Sequence, residues 1–225
     1  MKKIIINAPR RTSSTYLSML VRNSLKKNDN LFFEKLDSNS TIIEKIEKWS
    51  TTHQNEIQVT VVRNPYDVIL SQIVLLIMSS QKEDSLNPGV ANALLNDDVS
   101  FLKTIAVESK RLEKYYLATS KYADSSHLVY KFEDIIDEDK KFLVIKDILE
   151  SAGYTLSPDF ESLFELAVLE SDNRTLLNKD IVVSPQNRNA LYSRIQDKMA
   201  TLSDSIHFNL VNQAYESALT KARTF

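Results

Sequence analysis

The chain contains no cysteine. That excludes disulfide staples, thiolate nucleophiles and Cys-ligated zinc or iron–sulfur centres. Only two glycines, Gly89 and Gly153, occur in 225 residues, and the phosphate-cradling pattern GxxxxGK[ST] is absent. The three histidines, His53, His127 and His207, are scattered without metal-ligand spacing, so no metal is expected. No apolar run approaches the ~20 residues that span a bilayer. The most apolar stretch, 68–78, is interrupted by Ser71 and Gln72 and reads as a buried helix. The opening MKKIIINAPRR has two lysines and a very short apolar run, unlike a secretory signal. A cytoplasmic protein is expected. There is no basic surplus either: the net charge of −2 argues against a general binder of nucleic acid or anionic membrane.

What is present is ordinary globular composition, 43% hydrophobic and 26% charged, in a length that suits one ample core. A single domain over residues 1–225 is expected. Residues 3–8 and 57–63 are nearly continuous Ile/Val runs, the pattern of strands buried on both faces of a parallel sheet. Residues 31–36 and 127–132 are further strand candidates. Helical spacing marks 14–26, 41–49, 65–79 and 100–120, then 138–151, 158–169, 189–202 and 205–221. Ser157-Pro158 reads as a cap with proline at the first helical position, and Gly153 as a helix end. Residues 81–98 and 171–189 read as loops. The alternation predicts an α/β fold, a parallel sheet of about four to five strands with helices on both faces and a helical C-terminal part.

Two segments follow predicted strands and carry anion-binding chemistry. In Pro9-Arg10-Arg11-Thr12-Ser13-Ser14-Thr15, turn amides and hydroxyls open a helix, and such a helix start is a natural anion site. Arg11 adds a charge-assisted donor. The hydroxyls alone are equally well read as a helix cap. In Arg63-Asn64-Pro65-Tyr66-Asp67, Asn64 is a cap, Pro65 stands at N1 and Asp67 at N3. None of this accounts for Arg63, placed at the carboxyl edge of the sheet. Ser71, eight residues on, either shares an anion with Arg63 or bonds to its own helix backbone. Two such sites point to a ligand with two separated anionic groups.

At these residues the chain resembles the sulfotransferase family, which uses 3′-phosphoadenosine 5′-phosphosulfate as donor. Arg11-Thr12-Ser13-Ser14-Thr15-Tyr16-Leu17 is similar to the family's 5′-phosphosulfate loop, with Ser13 in place of its glycine and Arg10 as an insertion or an alternative to Arg11. Arg63 to Ser71 resembles its 3′-phosphate motif, R-N/D-P-x-D-x-x-x-S. Leu128-Val129-Tyr130-Lys131-Phe132-Glu133-Asp134 is similar to the strand and turn before a later helix; Phe132, or Tyr130 in a shifted register, would then lie near the nucleotide. Phe132 is also a plausible core residue. Arg188 marks the possible counterpart of a late basic phosphate-binding loop.

The resemblance implies a P-loop-like fold and sulfuryl transfer from that donor to a hydroxyl or amine acceptor, which needs a general base. Phe32-Phe33-Glu34-Lys35 resembles the Phe-Glu-Lys form of heparan-type members. It implies Glu34 as base with Lys35 as electrophilic helper; Asp37 and His53 are rivals. Glu34 also reads as an exposed strand-end charge. A P-loop-type kinase or NTPase, and a nucleotide-binding module without chemistry, are the alternatives. The acceptor and the oligomeric state are not legible.

Overall fold

The computed structural model describes residues 2–8, 14–25, 33–36, 55–81, 89–124, 126–177 and 185–225. The Ile/Val runs form strands β1 (Lys3–Asn7) and β3 (Glu56–Val62); β2 (Phe33–Leu36) and β4 (His127–Lys131) flank them. The four make one sheet in the order β2-β1-β3-β4, and every pairing is parallel. Register sets Asn7, the last residue of β1, beside Thr60 of β3, and Val62 beside Lys131 of β4. The carboxyl ends of three neighbouring strands thus share one edge, the usual ligand edge of such sheets.

The helices are α1 (Ser14–Asn23), α2 (Pro65–Ser80), α3 (Gly89–Asn96), α4 (Asp98–Tyr122), α5 (Phe132–Ile136), α6 (Lys141–Ser151), α7 (Phe160–Leu177), α8 (Pro185–Thr201) and α9 (Asn209–Leu219). Strand side chains alternate between two faces. Ile4, Ile6, Val59, Val61 and Leu128 enter one core with Leu17 and Leu20 of α1, Ile145 of α6 and Phe164 of α7. Ile5, Val62 and Val129 enter the other with residues of α2, α3, α4, α8 and α9. Helices therefore cover both faces, as the alternation predicts. None of the described helices is long and apolar enough to cross a membrane.

Helix α2 starts as its sequence dictates. The Asn64 side chain accepts from the Tyr66 N–H at 2.9 Å, Pro65 occupies the first turn and Asp67 complements the dipole. Helix α6 ends in a Schellman turn: the N–H of Gly153 reaches the Glu150 carbonyl, and that of Tyr154 the Leu149 carbonyl. Gly153 holds φ of 83°, which a Cβ would strain.

Several boundaries differ from the sequence reading. Residues 81–98 are not all loop: Ala91 and Leu94 of α3 pack into a core, an apolar face hidden behind the Asn87-Pro88-Gly89 turn signal. Residues 171–189 are not one loop either, because α7 continues to Leu177 and α8 begins at Pro185. Pro158 does not open α7; a turn closed by Phe160 N–H on the Ser157 carbonyl at 3.0 Å precedes it. A 3-10 turn, Ser203–Ser205, precedes α9. Phe132 starts α5 rather than ending β4. The helix expected over 41–49 lies outside the described residues.

His127 begins β4, and its Nε2 hydrogen-bonds to the Thr60 hydroxyl in the interior. Burial lowers its pKa below the ordinary value, outweighing the opposite pulls of the Tyr122 backbone and Asp124. A depressed folded pKa means that the unfolded chain takes up the proton first. Stability is therefore full above about pH 6.5 and falls as acid is added, by at most about 1.4 kcal/mol per pH unit. Urea unfolding at pH 7 and pH 5 should show this loss, and His127→Gln should flatten it. An equal loss in that variant would place the titrating group elsewhere.

At the β4 edge, the Arg223 N–H donates to the Val129 carbonyl at 2.9 Å. Its guanidinium reaches Asp147, which also accepts the Tyr130 hydroxyl at 2.7 Å. The Phe225 ring stacks on Tyr130 with centroids 6.0 Å apart. Tyr130 is thereby bound into this edge of the sheet through both its hydroxyl and its ring.

Candidate functional site

Val62 and Lys131 are paired at the ends of adjacent parallel strands, so the residues that follow them emerge side by side. Those residues are Arg63 and Phe132. The Arg63 guanidinium carbon lies 4.0 Å from the Phe132 ring centroid, a cation–π contact that fixes the charge at the sheet edge. Phe132 is half-buried and packs against the core beneath, in line with its reading as a core residue.

Backbone carbonyls at this edge are held from α4. The Tyr116 hydroxyl donates to the Arg63 carbonyl. The Tyr115 hydroxyl lies 3.1 Å from both the Asn7 and the Val61 carbonyl oxygens. Burial raises the pKa of both phenols, so both remain donors. Burial first, and then the Glu133 carboxylate, raises the pKa of the Tyr215 phenol, whose ring packs edge-on against Tyr116. Asn7 is fully buried, and among the described residues neither polar atom of its carboxamide has a hydrogen-bond partner. Unmet polar capacity of this kind is uncommon in interiors.

Ser71 is 3% exposed and accepts from the Tyr192 hydroxyl at 2.8 Å. Arg188, one turn before Tyr192 on α8, places its guanidinium carbon 5.7 Å from the Tyr192 ring centroid. Ser71 and Arg188, read separately from the sequence, are thus linked through Tyr192. Arg188 belongs to the first turn of a helix, not to a loop.

Of the first anion segment, Arg10, Arg11, Thr12 and Ser13 lie outside the described residues. Ser14 is placed by its backbone at the start of α1. Thr15 is exposed, and its carbonyl accepts from the Ser18 hydroxyl at 2.7 Å. The backbones of Glu34 and Lys35 pair with Ile5 and Ile6 of β1, two residues and one residue short of the end of β2. Their side chains, and Asp37 and His53 altogether, lie outside the description.

Tyr115, Tyr116 and Tyr192 were not singled out by site chemistry in the sequence. The available signal was the Tyr-Tyr pair inside an amphipathic helix, since consecutive helical positions diverge by about 100° and cannot share one apolar stripe. No protein-family model matches the chain, and neither does any curated protein or solved structure.

Proposed function

We propose that the chain is a sulfotransferase that binds 3′-phosphoadenosine 5′-phosphosulfate across the carboxyl ends of β1 and β3. The observation that carries this reading is Arg63, seated on Phe132 at the end of the strand beside β1, from which residues 10–15 continue. In this reading Arg63 takes the 3′-phosphate, with Ser71 and Arg188 on the same side. Arg11, Ser14 and Thr15 take the 5′-phosphosulfate, and the buried Asn7 carboxamide stands at the foot of that segment. Sulfuryl transfer then needs an acceptor oxygen or nitrogen in line with sulfur. A bond forms from the acceptor to sulfur, the bond from sulfur to the bridging phosphate oxygen breaks, and adenosine 3′,5′-bisphosphate leaves. The acceptor proton passes to a base, for which Glu34 is the first choice. Positioning and charge stabilisation carry most of such a reaction.

Calorimetry decides the binding half. Adenosine 3′,5′-bisphosphate is expected to bind at least about tenfold more tightly than 5′-AMP or ATP, a difference of one well-placed charged hydrogen-bonding group. Equal affinities would end the reading. Release of the bisphosphate from the sulfated donor, assayed with carbohydrate, tyrosyl-peptide and small-alcohol acceptors, separates an enzyme from a binding module on the same fold.

A further inference from the structure

The proposed chemistry needs two anion-binding turns at a fixed separation, yet the ladder between β1 and β3 stops at Asn7 and Thr60. We infer that Tyr115 and Tyr116 are positioning residues that hold the ends of β1 and β3 at a fixed spacing and place Arg63 on that frame, and with it set the preference for a nucleotide that carries a 3′-phosphate. The inference rests on the nucleotide reading above.

The geometry is specific. Tyr115 shares its proton between the carbonyls of Asn7 and Val61, one on each strand, and so ties the two strand ends together. Tyr116 donates to the carbonyl of Arg63, the residue whose guanidinium takes the 3′-phosphate. The two rings meet edge-on with centroids 5.5 Å apart. Tyr115 is 2% exposed and Tyr116 fully buried, where a hydrogen bond is strong and an unpaired carbonyl is costly. One helix, α4, therefore references the end of β1 and Arg63 to the same frame. Neither phenol touches ligand in this scheme; both act through backbone.

A phenylalanine at either position keeps the ring and removes only the donor. If the hydroxyls merely stabilise the fold, their loss lowers the melting temperature while affinities for one-phosphate and two-phosphate nucleotides stay in the same ratio. If they set the spacing, the ratio changes. The test is calorimetry of Tyr115→Phe and Tyr116→Phe with adenosine 3′,5′-bisphosphate and with 5′-AMP. Tyr130→Phe serves as control, because its equally buried hydroxyl meets Asp147 rather than a strand-end carbonyl. The preference for the bisphosphate is expected to fall about three- to tenfold in the first two variants, the worth of one hydrogen bond, and to persist in the control. The hydroxyls act on different carbonyls, so either variant that folds decides the matter. An unchanged preference in a folded variant overturns the inference and leaves the nucleotide reading standing. A wild-type protein without preference removes both.

Discussion

Arg63→Ala is expected to weaken binding of adenosine 3′,5′-bisphosphate about a hundredfold, while 5′-AMP, which lacks the 3′-phosphate, loses little. A guanidinium offers a planar fork of donors to phosphate oxygens, and such charge-assisted bonds are roughly twice as strong as neutral ones. Truncation leaves a desolvated phosphate without its partner, at a cost of about 2–5 kcal/mol. That exceeds the tenfold preference expected of the wild type for good reason. Adding a phosphate to a ligand also adds the cost of dehydrating it, which offsets part of the gain; removing the arginine leaves that cost in place. Arg63→Lys should recover only part of the loss, because an ammonium keeps the charge but neither the fork nor the stacking on Phe132. The fold should tolerate both changes. Arg63 is partly exposed, and its ring contact is worth about 1 kcal/mol. Unchanged bisphosphate affinity in a folded Arg63→Ala protein would remove the second anion site, and with it the two-site ligand.

Much of the scaffold behind this site is written locally. Continuous Ile and Val mark β1 and β3 because strands buried on both faces leave no polar positions to alternate. Asn64-Pro65 marks the start of α2 because cap and proline act within one turn. The misread stretches are those where local signals oppose tertiary packing. Asn87-Pro88-Gly89 announces a turn, and the short apolar face of α3 behind it is stabilised by tertiary contact with α2 and α4. The polar Ser171–Thr175 run reads as loop, yet α7 continues through it, and the helix packs against α1. Of the candidate site, the sequence made legible a charge at a strand end, Arg63, and not the contacts around it. Tyr115 meets carbonyls 108 and 54 residues away, and Tyr192 meets Ser71 across 121 residues. Periodicity reports which rings are buried; it is silent on where their hydroxyls end, since that depends on strand order and register.

Asp147→Ala is expected to destabilise the protein by about 2–3 kcal/mol, because it strands the buried Tyr130 hydroxyl and removes the partner of Arg223. For a chain of this length that corresponds to a fall in melting temperature of about 5–10 °C. The two lost contacts are unequal. Tyr130 is fully buried, so its unmet donor carries most of the cost, whereas the Arg223 side chain is 35% exposed and its ion pair is screened by solvent. Asp147→Asn separates them: the amide oxygen still accepts from Tyr130, and only the ion pair is lost. That variant should fall within about 1 kcal/mol of wild type, and added salt should shrink the remaining difference. The consequence for binding is indirect. β4 delivers Phe132 beneath Arg63, and among the described residues its outer edge is covered by the tail that Arg223 and Phe225 hold in place. Loosening that tail should expose backbone amides of β4 to hydrogen exchange before those of β3. A folded Asp147→Ala protein as stable as wild type, with exchange at β4 unchanged, would show that the tail contributes nothing to holding this edge of the sheet.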